Sequence, residues 1–253
     1  MIIIKNDKIK SIPFVKQQID DTSDLPFIPP KPLPVKSFAL YIVGQPGSGK
    51  TTLWNSLLIS HPTKKKPMTP KFYYKFFDKI FLISNSLQTL NLKLLKLNEE
   101  RLYNKFSDDI LEDIIETEAE GENLNNLIIL DDCIRDLSKS KILCKIILNR
   151  RHCCQNPDED CKAGLAVIIT SQKYNALPLM LRSNMSDIIL YRSENQKEIN
   201  AIVTELMGDM DEKKAREVLK FAWDKPHDFL LIKATKPKAE RYYKNFDLIK
   251  FDE

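Results

Sequence analysis

Between residues 43 and 52 the chain reads "VGQPGSGKTT" and places three of its six glycines there. Gly44, Gly49, Lys50 and Thr51 satisfy the pattern G-x-x-x-x-G-K-[ST] without a mismatch. Glycine is needed where the backbone takes a positive φ or lies close against a ligand, because a Cβ obstructs both. Successive N–H groups can then turn toward phosphate oxygens, and the N-terminus of a following helix adds partial positive charge. Gln45, Pro46, Gly47, Ser48 and Thr52 complete the expected cradle. Lys50 is expected to reach the β- and γ-phosphates, and the Thr51 hydroxyl to ligate Mg²⁺. The chemistry that follows is binding of ATP with Mg²⁺.

Hydrolysis requires one carboxylate near the metal and another to orient water. "LIILDD" (127–132) offers adjacent acids at the carboxyl end of an apolar run, the edge where a parallel sheet presents its ligand groups. Asp131 is the expected Mg²⁺ partner and Asp132 the residue that polarises water. A plain alternative is that the pair caps a helix starting near Cys133. "AVIITSQ" (166–172) ends in Thr170, Ser171 and Gln172. The Gln172 amide there can donate to a γ-phosphate or hold water, unless the segment is an ordinary turn.

Phosphoryl transfer gains from an arginine that a neighbouring subunit can supply. "NRRH" (149–152) and "LRSN" (181–184) offer Arg150, Arg151 and Arg182, though each taken alone reads more simply as a solvated or DNA-facing cation. His152, Cys153, Cys154 and Cys161 crowd into "HCCQNPDEDC". Vicinal cysteines suit one tetrahedral ion poorly, so the expectation is a polar loop with free thiols, with metal binding left open.

The elements that would position these groups are legible as apolar runs. "FALYIVG" (38–44) predicts a buried strand before the glycine-rich loop, and "TTLWNSLLI" a helix after it. "KIFLISNS" (79–86), "NLIILDDC" (126–133), "GLAVIITSQ" (164–172) and "SDIILYRS" (186–193) predict four more strands. Helical pattern lies between them, from about Leu92 to Glu120 with a break near Phe106 and Ser107, and over 138–151. That alternation points to an α/β domain with a mostly parallel sheet covered by helices on both faces. Residues 37–195 form the expected core. Residues 1–36 form a Pro-rich arm: a strap across the body, a linker to a neighbouring subunit, or an unpacked leader. Residues 196–253 add helices, a possible edge strand "DFLLIKA" (228–234) and a basic tail within the same domain.

The chain has 253 residues, a net charge of +4 and five cysteines. No run approaches the roughly 20 apolar residues of a membrane span. The opening "MIII" is too short for a secretory signal. An odd cysteine count without such a signal suits a reducing compartment. Lysines and aromatics alternate in "HPTKKKPMTPKFYYKFFDK" (61–79), and a second basic set occupies "KATKPKAERYYK" (233–244). The first reads either as a phosphate-backbone contact or as aromatics packed on the core beneath solvated lysines.

"GQPGSGKTT", "LIILDD", "NRRH" and "TSQKYNALPLMLRSNMSDIILYR", in that order, resemble the genome-packaging ATPases of large DNA viruses and virophages. These form the A32-like branch of the FtsK–HerA superfamily, and the likeness runs from Phe38 to Ser193. The resemblance implies an additional-strand, RecA-like P-loop fold, with the Gln172 strand between those of the phosphate loop and Asp131. It implies a closed homo-oligomeric ring of about five or six subunits that drives double-stranded DNA into a preformed capsid and meets capsid or portal-vertex proteins. It places the protein in the host cytoplasm or on the virion. Gln172 matches the family's sensor, and Arg151 with His152 a region near the subunit boundary. Asp132 stands where many relatives carry Glu. A small-molecule P-loop kinase and a regulatory ATP switch are the competing readings. The kinase would need an arginine-rich lid, and no such segment stands out.

Overall fold

The computed structural model describes residues 25–59, 72–90, 92, 95, 97–119, 125–133, 137–150, 153 and 164–251. Strand β1 (Ala39–Val43) is buried along its whole length and leads through the glycine-rich loop into α1 (Lys50–Leu58). Then come β2 (Lys79–Ser84), the two-residue β3 (Leu102–Tyr103) and α2 (Asp108–Ala119). Asp108 and Asp109 open α2, where negative charge suits the helix dipole. β4 (Asn125–Asp131) follows, then α3 (Lys141–Asn149), whose N-cap Ser140 accepts a bond from the Leu143 N–H. β5 (Gly164–Ser171), α4 (Leu179–Arg182) and β6 (Asp187–Tyr191) come next. The chain ends with α5 (Gln196–Leu206), α6 (Glu212–Ala222), β7 (Phe229–Lys233), β8 (Tyr242–Lys244) and β9 (Asp247–Leu248).

These strands form one nine-stranded sheet in the order β3-β2-β4-β5-β1-β6-β7-β8-β9. Pairing is parallel from β3 through β6 and antiparallel from β6 to β9. All five strands read from apolar runs are present and parallel to one another. Side chains alternate faces along each strand. On β1, Ala39, Tyr41 and Val43 enter one apolar cluster, while Leu40 and Ile42 enter another.

The first cluster is roofed by α2, α3, α5 and α6 through Leu111, Leu143, Ile146, Ile202, Val218 and Leu219. The second has one long helix, α1, contributing Trp54, Leu57 and Leu58. The rest of that face is covered by the arm and by Tyr73, Phe76 and Phe77. Phe27 meets Phe76 edge-on at 5.4 Å. The Tyr73 hydroxyl donates to the Pro34 carbonyl at 2.6 Å, and Lys233 Nζ donates to the Pro32 carbonyl at 2.7 Å. In its described part, then, the arm lies packed on the sheet. Of the aromatics in the 61–79 stretch, Tyr73, Phe76 and Phe77 pack in the core with Phe72 against them, while Tyr74 joins neither cluster, and the lysine-rich part lies outside the described residues.

Two expectations change. The helix read from Leu92 begins only at Asp108. The described residues before it hold a short 3₁₀ turn at Glu99–Arg101 and then β3. β7 is not an edge strand: the tail behind it folds back as β8 and β9. Among the described residues, no helix is long and apolar enough to cross a membrane.

Candidate nucleotide site

β1 ends at the middle of the sheet, and its loop is held there by the Gly44 N–H, which donates to the Ser171 carbonyl at 3.0 Å. A Cβ on Gly44 would lie 2.5 Å from Ser48 Oγ and 2.7 Å from Tyr191 Cβ, so only glycine fits. Gly49 takes φ of 106°, in the left-handed region that a side chain strains. No side chain caps α1, so its N-terminal amides stay open to a ligand. Ser48 Oγ is buried without a hydrogen-bond partner. Uncapped amides, an orphaned hydroxyl and an ammonium together form a set that fits an anion.

That ammonium is Lys50, whose Nζ donates to the Gly44 and Gln45 carbonyls at 2.7 and 3.0 Å. Burial lowers its pKa, and the charges of Asp131 and Asp132 oppose the shift.

Asp131 closes β4 with only 3% of its surface exposed. Its Oδ1 accepts from the Thr170 hydroxyl at 2.8 Å and from Trp54 Nε1 at 3.2 Å. The Thr51 hydroxyl lies 3.4 Å from Oδ2. Burial raises the Asp131 pKa first; the Thr170 and Trp54 bonds pull it down, Asp132 pushes it up and Lys50 lowers it. Thr51 and Asp131 therefore present adjacent oxygens from two different elements, the donor type that Mg²⁺ takes.

Asp132 holds φ of 55°, a left-handed conformation at a non-glycine residue. Three contacts fix it there. Its N–H donates to Thr170 Oγ1 at 3.1 Å, and its carbonyl accepts from Asn85 Nδ2 at 3.4 Å. Its Oδ1 accepts from Gln172 Nε2 at 3.2 Å. The turn swings the second acid away from the buried first one, so that Asp132 and Gln172 both face solvent. Thr170 joins the pair: its one hydroxyl donates to Asp131 and accepts from the Asp132 backbone.

The arginines are dispersed. Within its own chain Arg182 is already engaged: its Nε donates to Glu205 Oε2 at 2.8 Å and its Nη1 to the Leu177 carbonyl at 2.7 Å. Its Nη2 bonds Glu205 Oε1, and its guanidinium lies over the Tyr174 ring at 5.0 Å. Only 10% of the side chain is exposed. Arg150 sits at the opposite end of the strands, with Nε on the Ser37 carbonyl and Nη1 on that of Ile147. Arg151, His152, Cys154 and Cys161 lie outside the described residues. Of that cluster Cys153 is described; burial raises its thiol pKa. No group of three metal-binding side chains occurs among the described residues.

Three residues escaped the sequence reading. A cavity of 580 Å³ beside the loop is lined by Gly49 to Leu53, Ser56, Tyr191, His227 and Phe229. Tyr191 and Phe229 meet edge-on at 5.5 Å. His227, with φ of 68°, places Nδ1 3.1 Å from the Ser48 carbonyl. "KPHD" (225–228) carries no motif. The antiparallel return of β7 beside β6 is what lays it over the loop.

The sequence profile described as Poxvirus A32 protein matches residues 30–224. Among solved structures, the genome packaging NTPase B204 from Sulfolobus turreted icosahedral virus 2, in complex with AMPPCP, is 11% identical with a TM-score of 0.53. That match covers 85% of this chain and 100% of B204. The monomer form of the pCW3 conjugation coupling protein TcpA with ATPγS is 14% identical at a TM-score of 0.49, covering 84% of this chain and 61% of TcpA. Comparison with curated protein sequences gave no match. The B204 likeness and the strand order β4-β5-β1 identify an additional-strand P-loop NTPase fold.

Proposed function

This chain belongs to the Poxvirus A32 protein family, and from that premise we propose that it hydrolyses ATP to drive double-stranded viral DNA into a preformed capsid. The observation that carries the enzymatic part is the meeting of three strand ends. The phosphate loop follows β1, Gln172 follows β5, and Asp131 and Asp132 end β4, with Thr51 within 3.4 Å of Asp131 and Gln172 within 3.2 Å of Asp132.

The loop amides and Lys50 bind the phosphates, and Thr52 with the 580 Å³ cavity receives the nucleoside. Thr51 and Asp131 would hold Mg²⁺, which supplies charge neutralisation on the phosphate oxygens when bound. Asp132 accepts a proton from the attacking water, and Gln172 orients it and senses the γ-phosphate. The left-handed turn at Asp132 keeps that carboxylate out of the buried pocket that Asp131 occupies.

The motor part rests on family membership, and on B204, itself a genome packaging NTPase. A ring of about five or six copies would bring a neighbour's arginine to each site. Arg150 and Arg151 remain the candidates for that role. DNA and capsid or portal-vertex proteins would be its partners, in the infected cytoplasm or on the virion.

ATP turnover with and without double-stranded DNA, alongside Lys50→Ala, tests the proposal. Turnover that DNA stimulates and Lys50→Ala abolishes is expected. Turnover indifferent to DNA refutes the motor, and no turnover refutes the enzyme.

A further inference from the structure

α5 begins with "NQKE" (195–198), an N-cap Asn with Glu at the third helical position. In a capping box that Glu returns to the N–H of its own cap residue. Here it does not. Ser193 Oγ takes the Asn195 N–H instead, at 3.3 Å, and the Glu198 carboxylate is released to reach elsewhere.

It reaches two loops at once. Oε1 accepts from the backbone N–H of Tyr174, two residues after Gln172. Oε2 accepts from the hydroxyl of Ser193, two residues after Tyr191. Glu198 is only 8% exposed, and among the described residues no cation pairs with it. A carboxylate is costly to bury unless it is fully hydrogen-bonded, and bonds to an ionised oxygen are the strong ones. Its helix could have been capped without this burial, so local stability does not explain the arrangement.

What the clasp joins is informative. One loop carries Gln172, which touches Asp132. The other runs through Arg192 and Glu194, which line a cavity with Gln45, Pro46, Gly47 and Ser48 of the phosphate loop. The Gln172 side has other anchors, on its carbonyls and its ring, but its Tyr174 N–H is held by Glu198. Tyr41 donates its hydroxyl to the Lys173 and Tyr174 carbonyls at 3.0 and 3.1 Å. Tyr174 donates its own hydroxyl to Glu205 at 2.9 Å.

We propose that Glu198 is a positioning residue that sets the reach of Gln172 toward Asp132 and couples it to the rim of the phosphate loop. This rests on the ATPase reading above. Gln172 follows the strand end directly, so a slack Tyr174 amide lets its side chain drift; misplacement near 1 Å costs about a hundredfold in turnover in well-oriented sites.

The test is a double-mutant cycle on the full chain with Glu198→Ala and Gln172→Ala, reading kcat, ATPγS affinity and melting temperature. Glu198→Ala should lower kcat at least about tenfold while ATPγS affinity stays within about twofold. In the Gln172→Ala background the same change should cost less than about twofold, because the two act as one unit. Glu198→Gln, whose amide can accept from Tyr174 and donate to Ser193, should restore most of kcat. Should Glu198→Ala not fold, Ser193→Ala cuts one arm of the clasp and should lower kcat with unchanged affinity. Costs that multiply across the cycle, or affinity falling in step with kcat, overturn the proposal.

Wild-type turnover, with its Lys50→Ala control, reports separately on the ATPase reading. Amide exchange reads the clasp without hydrolysis. ATPγS should slow exchange at 173–178 and 192–196 together in wild type and at one alone in Glu198→Ala. Unlinked protection in wild type overturns the coupling.

Discussion

Replacing Arg182 with alanine separates two accounts of one side chain. As a trans-acting finger it would contribute to a neighbour's chemistry and little to its own fold. The structure instead makes it a brace between α4 and α5. Alanine removes the two-pronged contact to Glu205, the bond to the Leu177 carbonyl at 2.7 Å and the cation–ring contact at 5.0 Å. Stranding one partner of a buried ion pair costs about 3–5 kcal/mol. Glu205 is 25% exposed and keeps the Tyr174 hydroxyl at 2.9 Å, so solvent and that bond absorb part, leaving about 2–3 kcal/mol. In a chain of this size that lowers the melting temperature by about 4–12 °C. Glu205→Ala should cost a similar amount, and the double variant little more than either single one.

The same pair has a pH signature. The Arg182 hydrogen bonds foremost hold the Glu205 carboxyl below its ordinary range. A depressed carboxylate stabilises the fold above its unfolded pKa, and that contribution disappears as pH falls through the folded value. The melting difference between wild type and Arg182→Ala should therefore be full at neutral pH and shrink below about pH 4. Mixing Arg182→Ala with Asp132→Asn subunits should restore no turnover beyond the sum of the parts. A variant that melts like wild type and recovers on mixing would refute the brace and return Arg182 to the interface.

Gly44→Ala forces a Cβ to 2.7 Å from Tyr191 Cβ; ATPγS affinity should fall at least about tenfold by calorimetry, about 1.4 kcal/mol, with circular dichroism unchanged. Asp132→Asn should bind ATPγS as wild type does and turn over about a hundredfold slower or worse in a phosphate-release assay. Trp54→Phe removes the N–H that Asp131 accepts at 3.2 Å. It should cost about 1 kcal/mol of stability in urea melts, with a higher Mg²⁺ requirement for turnover.

Much of this was legible because the signals are local. The phosphate loop is specified by residue types the backbone demands, and the five parallel strands by apolar runs buried on both faces. Asp131 and Gln172 each end such a run, so topology alone brings them to one edge. The misses have the opposite character. β3 is two residues long and has no period of its own, and Leu92, Leu95 and Leu97 imitate a helix while packing on the second face. β8 and β9 are partly exposed and gain meaning only by pairing. Tyr191 and Phe229 come from strands that meet antiparallel across nearly forty intervening positions, and His227 from the turn that enters the second of them. The Arg182–Glu205 pair was not legible because its partners lie 23 positions apart and meet only in the fold.

The inserted strand explains the acid pair better than the motif does. β5 lies between β4 and β1, so its last residues touch the acids on one side and the loop on the other. Ser171 does the second through its carbonyl on the Gly44 N–H. Thr170 does the first, with one hydroxyl serving Asp131 and the backbone of Asp132. Because side chains alternate along a strand, Thr170 and Gln172 leave β5 in the same sense, one residue either side of Ser171. Thr170 therefore fixes the buried acid while Gln172 reaches the exposed one. A direct β4-β1 pairing would have brought Asp131 to the loop without any third strand to hold Asp132 in its left-handed turn. The different placement of two neighbouring aspartates, one buried and one exposed, thus follows from strand order.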